Sequence, residues 1–159
     1  MQKKPHLVVI QVGDNPASNI YVNLKHKKAE TIGIKSTIIK YPETITEDEL
    51  INKIEELNND NEVHAVLVQL PLPKHIRKTN VIKAISARKD ADGFTAQNSG
   101  DLLNGITPKV YPCTPKGVLR LLKEYNIEIA GKYAVIVGRS NIVGKPVAIM
   151  LLNNDATVT

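Results

Sequence analysis

The feature that most constrains the fold is an alternation of short apolar segments with longer helical ones. Segments 7–12, 36–41 and 65–69 have the length and β-branched content of buried strands. Two windows with helical periodicity, 18–31 and 46–57, lie between them. Strands that alternate with helices in this way form a parallel sheet with right-handed crossover connections. The sequence therefore predicts an α/β fold for this part of the chain.

Turn and capping residues indicate where the first helices begin. The turn residues 13–16 follow the first strand, and Ser18 is predicted to cap the helix after them. Thr46 with Glu49 three residues later is a capping-box pattern. A further short helix is predicted at 80–87.

The second part of the chain is predicted to begin with a long loop. Segment 90–112 is rich in Gly, Asn and Pro and has little periodicity. Thr114 is predicted to cap a helix that has Pro115 at its first position and ends near Tyr125. The remaining elements form one unit, with a fully buried strand at 133–137, a turn at 138–144, a helix at 143–152 and a strand that begins at 157.

Composition excludes several classes of protein. Cys113 is the one cysteine of the 159 residues, which excludes an intramolecular disulfide framework and fits a reducing compartment. Without a histidine partner nearby, we expect it to be a buried structural thiol. No apolar run is long enough to span a membrane, and the N-terminus lacks the apolar segment of a secretory signal. A cytoplasmic protein without a membrane partner is expected.

The basic charge favours anionic partners without specifying which. The net charge is +5, which suits nucleic acid, phosphorylated cofactors or polyglutamate tails. One Phe and no Trp supply few rings for stacking on single strands, and the lysines are spread along the chain. We therefore predict no nucleic-acid partner. The four histidines match no metal-ligand spacing, so no metal is predicted either.

Tyr21 and Lys25 are the first candidates for chemistry. They are four residues apart in a predicted helix and therefore lie on one face, one turn apart. This helix follows the C-terminal end of a strand, where open α/β sheets bind ligands. The spacing alone favours an ordinary exposed pair, because such pairs are common on amphipathic helices. Gln69, at the end of another strand, presents an amide that can accept a hydrogen bond from the Lys25 ammonium and hold it in place.

Two further segments carry weaker signals. Asp92 precedes Gly93, which allows the backbone to turn. Asp90 and Asp92 together also suggest a metal site, but no His or Cys lies nearby. The sequence GRSNIVG at 138–144 connects a strand to a helix, although its glycines do not follow the dinucleotide pattern G-x-G-x-x-G. The helix N-terminus after this turn can hold a phosphate group.

Five motifs occur together in a fixed order: VGDNPASNIYVNLK, VQLPLP, KDADGF, PCTPKG and GRSNIVGKP, which begin at positions 12, 68, 89, 112 and 138. In this order and at similar separations they resemble the methylenetetrahydrofolate dehydrogenase/methenyltetrahydrofolate cyclohydrolase family. The resemblance runs from about residue 7 to residue 159. Each motif alone is weak, so the combination carries the assignment.

The resemblance implies a fold and an activity. A parallel-sheet folate-binding domain with a linking helix would occupy residues 1–125, and the first part of a Rossmann-like NADP-binding domain would occupy 126–159. The family oxidises 5,10-methylenetetrahydrofolate with NADP and hydrolyses the methenyl product to 10-formyltetrahydrofolate. Compared with the family, the chain looks truncated at both ends, so the 159 residues alone are not expected to sustain the dehydrogenase reaction.

The resemblance also implies roles for particular residues. Lys25 would be the catalytic lysine, with Tyr21 against it and the substrate. Gln69 would hold Lys25, and Asp92 would bind the amino-pyrimidinone edge of the pterin. Ala91 stands where the family often has Val and touches none of these roles. The cofactor set would comprise Gly138, Arg139, Ser140, Ile142 and Gly144.

Partners and alternatives follow from the same resemblance. Arg139 would bind the 2′-phosphate, which favours NADP over NAD. A folate substrate and a homodimer of the full-length protein are implied. Two other interpretations remain open at this point: another two-domain NADP dehydrogenase, such as the shikimate type, and an incomplete chain that at most binds folate weakly.

Overall fold

The computed structural model describes residues 4–159 and divides them into two compact units. One unit ends at Ala91 and the other begins at Asp92. The first three residues belong to the N-terminal segment in which no secretory signal is expected, and they lie outside the described residues. The predicted functional division between residues 125 and 126 stays a prediction.

The first unit is built on a three-stranded parallel sheet. Its strands are β1 (His6–Val12), β2 (Lys35–Tyr41) and β3 (Ala65–Val68), in the order β2-β1-β3. Three helices belong to this unit: α1 (Pro16–Thr31), α2 (Glu47–Asn59) and α3 (Lys78–Ala84). Strand β1 is the central strand, with Ile10 opposite both Ile39 and Val68. The predicted α/β fold with a parallel sheet is confirmed.

The two faces of β1 contribute to separate hydrophobic cores because strand residues alternate between faces. Val8, Ile10 and Val12 belong to a large core with Leu50 and Ile54 of α2. Val9 faces the other way and forms a smaller core with Val22 of α1 and Leu67. The face toward α1 is the one that carries the candidate residues described below.

The predicted capping box of α2 is confirmed. The Thr46 hydroxyl accepts from the Glu49 backbone N–H at 3.2 Å, and a Glu49 carboxylate oxygen accepts from the Thr46 N–H at 2.9 Å. The first helical residue, Glu47, also accepts hydrogen bonds from Arg77 and Asn80. These bonds fasten the start of α2 to α3.

Several element boundaries in the first unit differ from the prediction. Helix α1 begins at Pro16, and its cap is Asn15, whose side chain accepts from the Ser18 N–H at 3.0 Å. The predicted cap at Ser18 is wrong because the proline starts the helix two residues earlier. Strand β3 ends at Val68, one residue before the predicted end, and α3 covers Lys78–Ala84 rather than 80–87.

The second unit contains three helices and a two-stranded parallel sheet in its described residues. The elements are α4 (Ala96–Leu103), α5 (Cys113–Glu124), β4 (Tyr133–Ala134), α6 (Gly144–Leu152) and β5 (Thr157–Val158). Helix α4 lies within the segment predicted to be mainly loop. That prediction failed because polar residues such as Gln97 and Ser99 weaken the apolar periodicity, although Asn98 and Leu102 are buried.

Three other predictions for this unit are wrong. Helix α5 begins at Cys113 with Pro112 at the cap position, so Thr114 does not cap it. Strand β4 covers two residues rather than five, and it is not buried: Val137, beyond its end, is 99% exposed. β4 pairs only with β5 among the described strands, which leaves its outer side accessible. Cys113 is exposed rather than buried.

Candidate active site

The candidate site of the first unit lies at the C-terminal end of its parallel strands. Lys25 extends from the third turn of α1, and its Nζ donates a hydrogen bond to Oε1 of Gln69 at 3.1 Å. Gln69 follows directly after β3, and both side chains are half-buried. The structure thus brings together two residues that the sequence singled out, although they are 44 residues apart in the chain.

The amide of Gln69 is held in one orientation. Its Nε2 donates to the Leu70 carbonyl at 2.7 Å, and its backbone N–H donates to the Ile10 carbonyl at 2.8 Å. Because a carbonyl oxygen only accepts, Nε2 must face Leu70, and Oε1 must therefore face Lys25. Gln69 is a fixed acceptor that orients the lysine side chain.

Tyr21 lies one turn before Lys25 on α1. Its side chain is 60% exposed, so its ring and hydroxyl are accessible to a ligand at this end of the sheet. The position of α1 is fixed by its cap at Asn15 and by Val22, which is fully buried against Val9. Tyr21 and Lys25 therefore stand on a helix whose start is well defined.

Asp92 is the first residue of the second unit and is half-buried. The residue before it, Ala91, donates its N–H to the Val66 carbonyl at 3.1 Å, so the chain enters Asp92 from an extended segment beside β3. Gly93 has φ +71°, and a Cβ there would lie 2.7 Å from the Val110 carbonyl oxygen. A glycine is required at this turn for both reasons.

The turn at 138–144 is closed by Ser140 and Gly144. The Ser140 hydroxyl oxygen accepts from the N–H groups of Val143 and Gly144, at 3.1 and 3.2 Å. A Cβ at Gly144 would lie 2.6 Å from the Gly138 carbonyl oxygen, so the turn has no room for a side chain there. Arg139 is exposed and Ile142 is half-buried. Because Ser140 occupies the first N–H groups of α6, an anion at this turn would be held by the Arg139 guanidinium and the Ser140 O–H proton.

Two clefts of the described residues lie apart from these side chains. A depression of about 390 Å³ borders the β1–α1 turn and Pro71–Pro73, next to the candidate site but without Lys25 in its lining. A cleft of about 1000 Å³ in the second unit is lined by α5, residues 126–130 and the end of α6, away from the 138–144 turn. Side-chain chemistry, rather than cleft size, defines the candidate sites.

Sequence reasoning missed one buried polar cluster. Gln11 is 1% exposed, and its Nε2 donates to Oδ1 of Asn19 at 2.7 Å, while Asn19 donates to Asp14 at 2.8 Å. The available signal was a glutamine inside an otherwise apolar strand, since a buried amide needs partners. Among residues 4–159, no group of three or more His, Cys, Asp or Glu side chains is arranged to hold a metal ion.

A parallel sheet with a lysine–glutamine pair at its strand ends, followed by a strand–turn–helix–strand unit, defines an α/β protein with ligand sites at strand termini. Residues 1–92 match the catalytic domain described as tetrahydrofolate dehydrogenase/cyclohydrolase, and residues 112–159 match the NAD(P)-binding domain of the same description. The chain belongs to the tetrahydrofolate dehydrogenase/cyclohydrolase family. This match sets aside the shikimate-type alternative.

Known relatives are similar along nearly the whole chain. The bifunctional protein FolD of Listeria innocua is 56% identical over 157 residues, which are 99% of this chain and 55% of that protein. The FolD protein of Ligilactobacillus salivarius is 54% identical over 155 residues, or 98% of this chain and 54% of the relative. The chain spans about half the length of the curated relatives it matches.

Solved structures agree with the fold. The bifunctional enzyme FolD from Campylobacter jejuni has a TM-score of 0.95 at 52% identity, covering 98% of this chain and 55% of that one. The Trypanosoma brucei dehydrogenase-cyclohydrolase, solved with NADP cofactor and an inhibitor, has a TM-score of 0.95 at 39% identity, covering 99% and 53%.

Proposed function

We propose that this protein is an NADP-dependent methylenetetrahydrofolate dehydrogenase and methenyltetrahydrofolate cyclohydrolase. The observation that carries the proposal is the hydrogen bond between Lys25 and Gln69 at the C-terminal end of the parallel sheet. Family membership and the bifunctional names of relatives 54–56% identical to the chain support the same activity.

Lys25 is the proton carrier of the hydrolysis. Water adds to the methenyl carbon and gives up a proton to the Lys25 amine, and the C–O bond forms. Lys25 then returns this proton to N5 as the C–N5 bond breaks, and the hydroxyl proton of the adduct leaves to solvent as the C=O bond of the N10 formyl group forms. Gln69 holds the amine at the reacting carbon, and Tyr21, on the same helix face, packs against the substrate.

Asp92 binds the pterin. Its carboxylate accepts two hydrogen bonds from the amino-pyrimidinone edge, which presents adjacent donors. The tight approach of Gly93 to the backbone at residues 110–112 fixes the turn that follows Asp92. Substrate recognition and proton transfer are therefore assigned to different residues.

The turn at 138–144 binds the nucleotide. Gly138 and Gly144 allow the backbone to close, and Ile142 is half-buried behind the turn. Arg139 and the Ser140 hydroxyl are the groups suited to a 2′-phosphate, which is why we assign NADP rather than NAD. When bound there, NADP would supply the hydride acceptor for oxidation of the methylene carbon. The residues of this chain contribute binding and orientation to that step.

A homodimer and a cytoplasmic location complete the proposal. Pairing of subunits follows from the family resemblance, and light scattering of the purified protein tests it directly. The cytoplasmic assignment draws on the lone exposed Cys113. No helix within residues 4–159 has the length and apolar content needed to cross a membrane.

Two preparations test the proposal. The first is the 159-residue chain itself, assayed for loss of methenyltetrahydrofolate absorbance. The second is a chimaera in which this chain replaces the matching segment of the Listeria innocua relative, assayed for hydrolysis and for NADPH formation. The proposal requires the chimaera to catalyse both reactions. A folded chimaera that catalyses neither reaction would contradict it.

A further inference from the structure

Gln11 is a polar residue in the centre of the first unit. It lies near the end of β1, on the face toward α1, where Val9 packs against Val22. Its side chain is 1% exposed, which makes it one of the most deeply buried polar groups of the described residues. Such a group destabilises a fold unless hydrogen bonds satisfy it.

Neighbouring polar groups fix the orientation of the Gln11 amide. The Asp14 carboxylate only accepts, so Nδ2 of Asn19 faces it at 2.8 Å. Oδ1 of Asn19 then faces Gln11 and accepts from its Nε2 at 2.7 Å. The same Nε2 lies 3.3 Å from the Gly13 carbonyl oxygen. The amide nitrogen is therefore committed to the β1–α1 turn and the first turn of α1.

The other end of the amide is an acceptor without a donor. Oε1 of Gln11 is buried and has no hydrogen-bond partner among residues 4–159. An unsatisfied buried acceptor destabilises the fold. A donor that approaches this oxygen from the α1 side would remove that destabilisation.

The sheet places Gln11 beside Gln69. Strands β1 and β3 are paired up to Ile10 and Val68, and the Gln69 N–H donates to the Ile10 carbonyl. Gln11 and Gln69 therefore occupy the next position of the register, about 4.8 Å apart along the hydrogen-bonding direction, on the same face. The Lys25 ammonium has three N–H groups and uses one of them for this neighbouring Gln69.

We propose that Gln11 is a positioning residue for Lys25. Its Oε1 is a second buried acceptor for the lysine ammonium beside Gln69, and its Nε2 fixes the start of α1 through Asn19. The catalytic consequence rests on the proposed function, whereas the proposed contact between Gln11 and Lys25 does not.

The test is the rate at which an amine-acylating reagent modifies Lys25 in the full 159-residue chain, read by peptide mass spectrometry. At neutral pH this rate follows the fraction of free amine. Gln11→Met removes the acceptor and is expected to raise the Lys25 rate by about threefold, equivalent to half a pH unit of titration. Gln11→Glu adds a carboxylate at the same place and is expected to lower it by about as much. The exposed Lys28, on the same helix, is the internal control and should not change.

Both variants break the bond to Asn19, so a purely structural role would move the two rates in the same direction. A change of the Lys25 acylation rate in the same direction in both variants, or no change in either variant, would overturn the inference. If Gln11→Met does not fold, Gln11→Glu decides alone, and a Lys25 rate at or above that of the wild type would overturn it. Hydrolysis by the chimaera is measured separately: loss of activity without the opposite acylation effects would leave the proposed function intact and refute the role of Gln11.

Discussion

The Lys25 Nζ and the Gln69 Oε1 are 3.1 Å apart, joined across the space between helix α1 and the end of strand β3. The contact depends on two independent backbone features. Asn15 and Pro16 fix where α1 begins, and the bond from the Gln69 N–H to the Ile10 carbonyl fixes where the glutamine leaves the sheet. A lysine amine that is held by an amide in this arrangement can exchange a proton with a ligand without large rearrangement.

Gly93→Ala is expected to weaken folate binding and to destabilise the second unit. The φ of +71° costs an L-residue about 1–2 kcal/mol, and the new Cβ would lie 2.7 Å from backbone atoms of residues 110–111. Urea unfolding and titration with a folate analogue measure the two effects. Gly100→Ala in helix α4, where a Cβ meets nothing within 4 Å, is the matched control and should not destabilise. Equal stability of the two variants would refute this account of the turn.

Glu47→Gln is expected to make stability less dependent on acid pH. Hydrogen bonds from the Arg77 side chain, then from its backbone N–H and from Asn80, lower the pKa of Glu47 from 4.5 to about 2. A lowered pKa stabilises the fold at pH values above 4.5, and that contribution is lost as the pH falls toward 2. The wild type should therefore exceed the variant in urea midpoint at pH 7, with the difference shrinking between pH 4.5 and 2.

Glu55→Gln, an exposed change on the same helix, is the control for this series. Its urea midpoint should follow that of the wild type across the pH range. A Glu47→Gln difference that stays constant from pH 7 to pH 2 would show that the carboxylate's bonds to Arg77 and Asn80 do not stabilise the fold.

Arg139→Ala in the chimaera is expected to weaken NADP much more than NAD. Loss of a charge-assisted hydrogen bond to the 2′-phosphate costs about 1.5–3 kcal/mol, and NAD has no such group. Calorimetric titration with each nucleotide measures the difference, and Lys145→Ala is the control because Lys145 is exposed in the first turn of α6. Equal losses for both nucleotides would remove Arg139 from the 2′-phosphate site.

The residues of the candidate site could be predicted from the sequence more completely than the boundaries of some of the helices and strands that carry them. Tyr21 and Lys25 share a helix face by spacing alone, and a glutamine that ends a buried strand is expected at the same edge. The sequence predicts a cap at Ser18, whereas the structure has Asn15 there, because both residue types are good caps and Pro16 favours the earlier start. Errors of this kind arise where two residues of one turn are almost equally good helix caps.

Other differences arise from tertiary packing. Helix α4 contains few apolar residues, and its burial through Asn98 and Leu102 is not visible as a periodic pattern. Val135 and Val137 suggest a buried strand by composition, but they are 61% and 99% exposed because β4 pairs only with β5 among the described strands. Composition reports what a segment can bury, and only the neighbouring elements decide whether it does.

The most direct test of the central claim is Lys25→Met in the chimaera, measured by the loss of methenyltetrahydrofolate absorbance together with folate binding. Removing the proton carrier should lower hydrolysis by about 10²-fold or more, while binding stays within about tenfold, or ~1.4 kcal/mol. Lys28→Met, an exposed change on the same helix, should retain the wild-type rate. Near-normal conversion of methenyl to formyl folate by the folded Lys25→Met protein would contradict the account.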